Sequence, residues 1–264
     1  HGLGSTHFGL LGLASDEWST HFGWSGSATG KYTTHTGAFG IVNGIRGFHS
    51  GFQGHIGLSA TNSAHFGNSG RIYKDTSFHT GSVGRIYSTA SLHAGIGGVL
   101  SGDTSTHFGR YGKTTMRSEI VQSSGTFSVV GDAQASTVVV RNATSDGATE
   151  KELFLDGTGQ SLRLKIPSGN SWFFNAKVVA RDLTLSASAS YTIEGCIDNW
   201  NGSVVMTDPA VVTTISDGGG TLSTCVVSAY ADDVNDSLKI GVTGVAGSTI
   251  RWVSKVDLVQ TGLF

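Results

Sequence analysis

The chain has 264 residues, a net charge of −2, 14% charged side chains, 39 glycines, two prolines and two cysteines. That length allows two domains, and so sparse and balanced a charge excludes a basic nucleic-acid surface. No apolar run reaches the roughly 18 residues of a membrane-spanning helix, and Cys196 and Cys225 are too few for a disulfide framework, so two thiols are expected.

The chain starts at His1 without Met and shows no secretory signal, so it reads as a processed form or a piece of a longer protein. From His7 the pattern H-x-G-x-x-G returns eight times, headed by His7, His21, His35, His49, His65, His79, His93 and His107. The spacing is 14 residues except for 16 between His49 and His65. Such self-similarity marks structural units stacked on one another. Fourteen residues are too few for a helical repeat or a propeller blade, and the glycine period is not the three of collagen. They suit one coil of a β-solenoid: two short strands and two turns, with glycines where the backbone needs positive φ or close approach.

Two further positions look like core. Seven residues after the His the chain is usually apolar, at Ala14, Ala28, Val42, Ile56, Ile72, Ile86 and Leu100. Just before the His stand Thr20, Thr34, Phe48, Ala64, Phe78, Leu92 and Thr106. The two-residue insertion, beside the extra His55, reads as a bulged turn. Eight coils about 4.8 Å apart give a rod on the order of 40 Å. So thin a roll needs partner chains to bury the rest of its apolar surface.

The expected divisions are a solenoid shaft over 1–112, a polar connector over 113–125 and a C-terminal domain over 126–264. In the last, short strand-like runs alternate with turns such as Asp156-Gly157, Ser168-Gly169-Asn170 and Asp217-Gly218-Gly219-Gly220. The runs begin with Thr126–Val130 and Thr137–Asn142 and end with Thr249–Leu258. About ten short antiparallel strands predict a β-sandwich of jelly-roll type. The fold class is therefore all-β throughout.

The repeats, as in Ser5-Thr6-His7-Phe8-Gly9 and Ser105-Thr106-His107-Phe108-Gly109, resemble the left-handed parallel β-roll repeats of trimeric adhesin heads, from which they depart in the fixed His. The C-terminal stretch of about 126–262 carries Gly131-Asp132-Ala133-Gln134, Ser171-Trp172-Phe173-Phe174, Tyr191-Thr192-Ile193-Glu194-Gly195 and Ser248-Thr249-Ile250-Arg251-Trp252 in that order. It resembles a module of tail-fibre and other virion proteins of tailed bacteriophages. That resemblance implies an extracellular virion protein, a homotrimer, joined to other fibre or tail proteins and touching a host-surface glycan or protein. It brings no catalytic residues.

Within this frame the histidine column has three readings: a stacked ladder that sets register, a metal-capture site, or a pH switch. No carboxylate recurs with the His, and the register ladder is expected, with no metal and no cofactor. The acids of the repeats, Asp16, Glu17, Asp75 and Asp103, form no pair suited to glycan cleavage, so a non-enzymatic fibre is expected. Its alternative is a connecting segment with no ligand of its own. Asp198, Asn199, Trp200 and Asn201 make a turn with a flat ring and amides, groups that suit sugar recognition, and they are the candidate receptor-binding residues. The acidic loop Asp232-Asp233-Val234-Asn235-Asp236 lacks a calcium-loop spacing and reads as a solvated loop.

Overall fold

The computed structural model describes residues 2–262, all of them strand, turn or irregular chain, and none of its elements is a helix long and apolar enough to cross a membrane. The chain divides into two units, His1–Ala133 and Gln134–Phe264.

The first unit is a β-solenoid. Each His heads a five-residue strand, from Thr6–Leu10 to Thr106–Arg110, and each is followed by a two-residue strand, from Leu13–Ala14 to Lys113–Thr114. The long strands form one parallel sheet and the short strands another, each pairing with its own repeat in the neighbouring coil. The register is strict, His on His and Gly on Gly. The insertion leaves this register intact, since Phe48 still pairs with Ala64 and His55 with Arg71. The extra residues loop out around Leu58, which is exposed.

Both glycines of the motif have a steric cause. The first has φ between 102° and 152°. A Cβ there would stand 1.9–2.1 Å from the carbonyl oxygen of the equivalent residue in the next coil. The second lies against the histidines: a Cβ on Gly40 would stand 2.4 Å from His35 Nε2 and from His49 Cε1. The two turns of each coil use left-handed residues that are mostly not glycine. Ser25, Phe39 and Val83 stand at one turn and Tyr32, Arg46 and Thr76 at the other, with φ of 51–63°. Their amides continue the ladder between coils, as Phe39 N–H donates to Trp24 O at 3.0 Å and Arg46 N–H to Lys31 O at 2.9 Å. A hydrogen bond per turn offsets the roughly 1–2 kcal/mol that an L-residue costs in this region.

Three columns fill the interior. The first is the histidines. The second is the predicted apolar column, Ala14 to Leu100, fully buried. The third is Ser19, Ser63, Ser77, Ser91 and Ser105, two residues before the His and buried. Its hydroxyls bond from coil to coil, as Ser63 Oγ accepts Ser77 N–H at 3.1 Å and Ser91 Oγ accepts Ser105 N–H at 3.3 Å. The residues just before each His do not belong to the core. In a strand, alternate side chains face opposite sides, so an inward His turns its neighbours outward, and Phe78 is 39% exposed.

The expected connector is a ninth coil. Lys113–Thr114 pairs with Val99–Leu100, and Ile120–Ser123 with Thr106–Gly109, both parallel. Val121 replaces the His and Glu119 the Ser. The Glu119 carboxylate accepts the amides of Thr115 at 2.7 Å and Met116 at 3.0 Å, which closes off the polar column. Thr126–Val130, expected as a strand, is turn and irregular chain. The Asp132 carboxylate accepts the amides of Phe127, Ser128 and Val129 there, binding the backbone into a local turn that leaves no ladder to join.

The second unit is antiparallel. One sheet runs Ala133–Thr144, Ile250–Gly262, Asn170–Asp182 and Ser188–Trp200, with Ser203–Met206 and Val211–Ser216 both on the last long strand. A smaller sheet joins Lys151–Glu152, Ser237–Thr243 and Leu164–Lys165, with Val226–Asp232 also on Ser237–Thr243. The predicted alternation holds: Trp172, Phe174, Ala176, Val178 and Ala180 are buried. Across the sheet Trp252 is buried too, its indole N–H donating to Thr144 Oγ1 at 2.9 Å. Cys196 and Cys225 are free thiols.

Candidate functional site

The structure places the histidine column inside the solenoid. His21, His35, His49, His65, His79, His93 and His107 are fully buried, and His7, on the first coil, is partly covered. Their rings stack with centroids 4.6–4.9 Å apart; neighbouring planes lie within 20° except at His93–His107. Burial lowers the pKa values of the seven fully buried histidines, and the charge of neighbouring histidines adds to it at all of them but His93. His35 and His107 fall to about 4 and His49 to about 3. His65 and His93 are also pushed to about 4, burial again leading, and His79 lies lower still. These seven imidazoles are therefore neutral at pH 7. His93 and His107 accept the amides of Gly98 at 3.2 Å and Gly112 at 3.0 Å on Nε2, which puts their remaining proton on Nδ1.

This stack is poorly shaped for metal. Two imidazole nitrogens sharing a zinc ion at about 2.1 Å each must come within about 4.2 Å with their lone pairs converging. Rings lying face to face aim their in-plane lone pairs in parallel. His55 stands outside the column, edge-on to Tyr73 at 6.3 Å.

In the second unit the turn Asp198, Asn199, Trp200 and Asn201 splits into two roles. Trp200 is 62% exposed, and Asn201 takes the left-handed turn position at φ 52°. Asn199 is buried and its amide is committed to the fold. Nδ2 donates to Ile166 O at 2.8 Å, and Oδ1 accepts Gly202 N–H at 3.0 Å. Asp198 is half-buried on the strand. The acidic loop is engaged as well, since Asp232 faces Arg163 at 3.8 Å and Asp233 accepts the amide of Val204.

The same sheet carries a cleft that composition does not announce. Ser188–Trp200 pairs at one end with Ser203–Met206 and at the other with Val211–Ser216. Between them Thr207-Asp208-Pro209 leaves the ladder; a proline has no N–H to give it. The gap is an open cleft of about 270 Å³ lined by Phe173, Glu194, Gly195, Cys196, Thr207, Asp208, Pro209 and Val211. Phe173 pairs with Cys196 and Asn175 with Glu194 across adjacent strands, and the Asn175 amide donates to the Glu194 carboxylate. Thr207 N–H donates to Cys196 O at 3.1 Å, which fixes one wall. A flat ring, two carboxylates and a hydroxyl on one concave surface are acceptors and a platform for a polyhydroxylated ligand.

No protein-family model and no curated protein matches the chain. Similar solved structures include three phage tailspikes. One is tailspike protein gp49 of Acinetobacter baumannii bacteriophage Fri1, a capsular polysaccharide depolymerase, at 9% identity and a TM-score of 0.31, over 96% of this chain and 56% of that one. Another is the Acinetobacter baumannii phage AM24 tailspike, at 8% and 0.25, over 94% and 58%. The third is the Acinetobacter phage vB_ApiP_P1 tailspike, at 8% and 0.23, over 96% and 54%. The chain spans somewhat more than half the length of each. The expectation of a non-enzymatic chain is withdrawn on this finding, because a capsular polysaccharide depolymerase is an enzyme. Its basis, the scarcity of acids, concerned the repeats alone and left out Glu194 and Asp208.

Proposed function

We propose that this chain is part of a bacteriophage tail fibre or tailspike, an extracellular virion protein that holds a host-surface glycan. The cleft at Phe173, Glu194, Thr207 and Asp208 carries the reading. Its ring offers a stacking face for a sugar, and its carboxylates accept hydroxyl protons. The exposed Trp200 and Asn201 offer a second contact, with Asp198 at the edge of the turn. The solenoid supplies a stiff support, and the two antiparallel sheets of the second unit face each other as a sandwich. The working form is a homotrimer attached to other virion fibre or tail proteins, in which three weak sites act together.

Two carboxylates in one cleft also favour a second reading, glycan cleavage, in which one acid protonates the leaving oxygen and the other acts as base or nucleophile. One experiment reads both. The full chain is tested against a panel of bacterial surface polysaccharides for retention and for release of reducing ends, beside Phe173→Ala and Asp208→Asn. Retention lost in Phe173→Ala supports attachment at the cleft. Reducing ends lost in Asp208→Asn support cleavage. Binding that survives both substitutions overturns the cleft.

A further inference from the structure

We infer that the outward face of the long-strand sheet of the solenoid is the surface on which copies of this chain pack against one another. This rests on the homo-oligomeric reading above and names its interface.

The face is defined by register. In each long strand the His points inward, so the residue before it and the residues one and three after it point outward. None of these outward positions is buried in any of the nine coils. Arg110 is the only charged residue among them. The charges of the solenoid lie elsewhere: Arg71, Arg85 and Lys113 on the short-strand sheet, and Lys31 with Glu17 at a turn. In their place the long-strand face carries Phe8, Phe22, Trp24, Phe52, Phe66 and Phe108, each between 39% and 60% exposed. Phe8 and Phe22 stack in parallel at 5.2 Å, extending the coil spacing outside the core.

Aromatic enrichment with charge depletion is the composition of an interface centre. With aromatic side chains of about 150–250 Å² each, the exposed fractions and neighbouring Leu10, Ile96 and Ile120 make on the order of 800 Å² per chain, which is what each partner gives to a standard interface and above the usual largest patch of a monomer. Periodicity selects the occupant. A partner must present side chains every 4.7–4.9 Å over nine rows, and a second copy of this solenoid has that pitch by construction. With almost no charge on the face, two copies meet without like-charge repulsion.

Sedimentation velocity of the full chain tests this, with Trp24→Lys combined with Phe52→Lys as the face variant and Arg85→Glu as the control on the other sheet. All three side chains are exposed, so the coils keep their cores. The wild type and Arg85→Glu sediment as an oligomer, and the face variant shifts to monomer or associates at least tenfold more weakly. Hydroxyl-radical footprinting of the unmodified chain reads the same surface without substitution: Phe22, Trp24 and Phe52 are protected when concentrated and oxidised on dilution. A monomeric wild type overturns both the oligomer and this interface. An oligomer whose mass survives the double substitution, with these side chains oxidised at every concentration, overturns the interface and leaves the oligomer standing. Glycan retention at the cleft is scored separately.

Discussion

Acid is the perturbation to which the histidine column is most sensitive. In the unfolded chain these imidazoles titrate at 6.5; in the fold His35, His65, His93 and His107 are held at about 4, His49 at about 3 and His79 lower, because burial disfavours the imidazolium. Between these limits the unfolded chain binds protons that the folded chain refuses, so stability rises with pH. Stability is complete above pH 6.5 and is lost progressively as the pH falls toward 4. At about pH 5 each shifted histidine weakens the fold by about 2 kcal/mol, one and a half pH units at about 1.4 kcal/mol per unit. Six of them together remove on the order of 12 kcal/mol, comparable to the whole stability of an ordinary domain. The other two columns of the interior are apolar or hydroxylic, and the Glu119 carboxylate accepts two backbone amides. Hydrogen-exchange mass spectrometry at about pH 7.5 and about pH 5, corrected for the intrinsic rate, separates the two units of the intact chain. The coils should lose protection at the lower pH while the strands of the second unit keep theirs. Equal protection of the coils at both values would refute the argument, and imidazole carbon shifts that titrate near 6.5 would do so independently.

Gly95→Ala places a Cβ 1.9 Å from the Gly109 carbonyl oxygen at a φ of 152°. Backbone meets backbone there and neither side has room to move. The substitution should cost more than about 4 kcal/mol in urea unfolding, and a loss of about 1 kcal/mol would show that the coils separate easily. Val83→Asn acts in the other direction. A β-branched residue at φ 63° is strained, whereas Asn tolerates that region, and Val83 is more than half exposed. Thermal unfolding should show a gain of about 1 kcal/mol for the first unit, and a loss would mean that the turn is not strained.

The period, the inward apolar column and the all-β character were legible because each repeats in the sequence at a fixed offset. Other features were not, and each for its own reason. The serine column two residues before the His is conspicuous in Ser63, Ser77, Ser91 and Ser105, but Ser and Thr also fill turns, and composition does not say which hydroxyls face inward. The residue before each His, read as core from Phe48, Phe78 and Leu92, faces outward because strand alternation outranks hydrophobicity at a single position. The ninth coil escaped because His and both glycines are absent from it. A coil stacks through its backbone ladder, and the motif's second glycine is needed only where a histidine must be accommodated.

That last point orders the whole solenoid. A stacked imidazole column brings each ring against the turn that follows it, so the residue five after the His must lack a side chain; Gly40, hemmed between His35 and His49, shows the contact. Coil spacing set by the ladder brings the strand backbones so close that the residue two after the His must also lack one, as Gly37 does against Gly51. In H-x-G-x-x-G the second glycine is thus a steric consequence of the histidine and the first a consequence of the ladder. The site in the second unit obeys no such rule. It arises where a proline breaks one edge of a sheet, bringing Phe173 beside residues more than thirty positions away. A local motif announces structure here, and a gap between distant strands makes the candidate site, which is why the first could be read in sequence order and the second only in space.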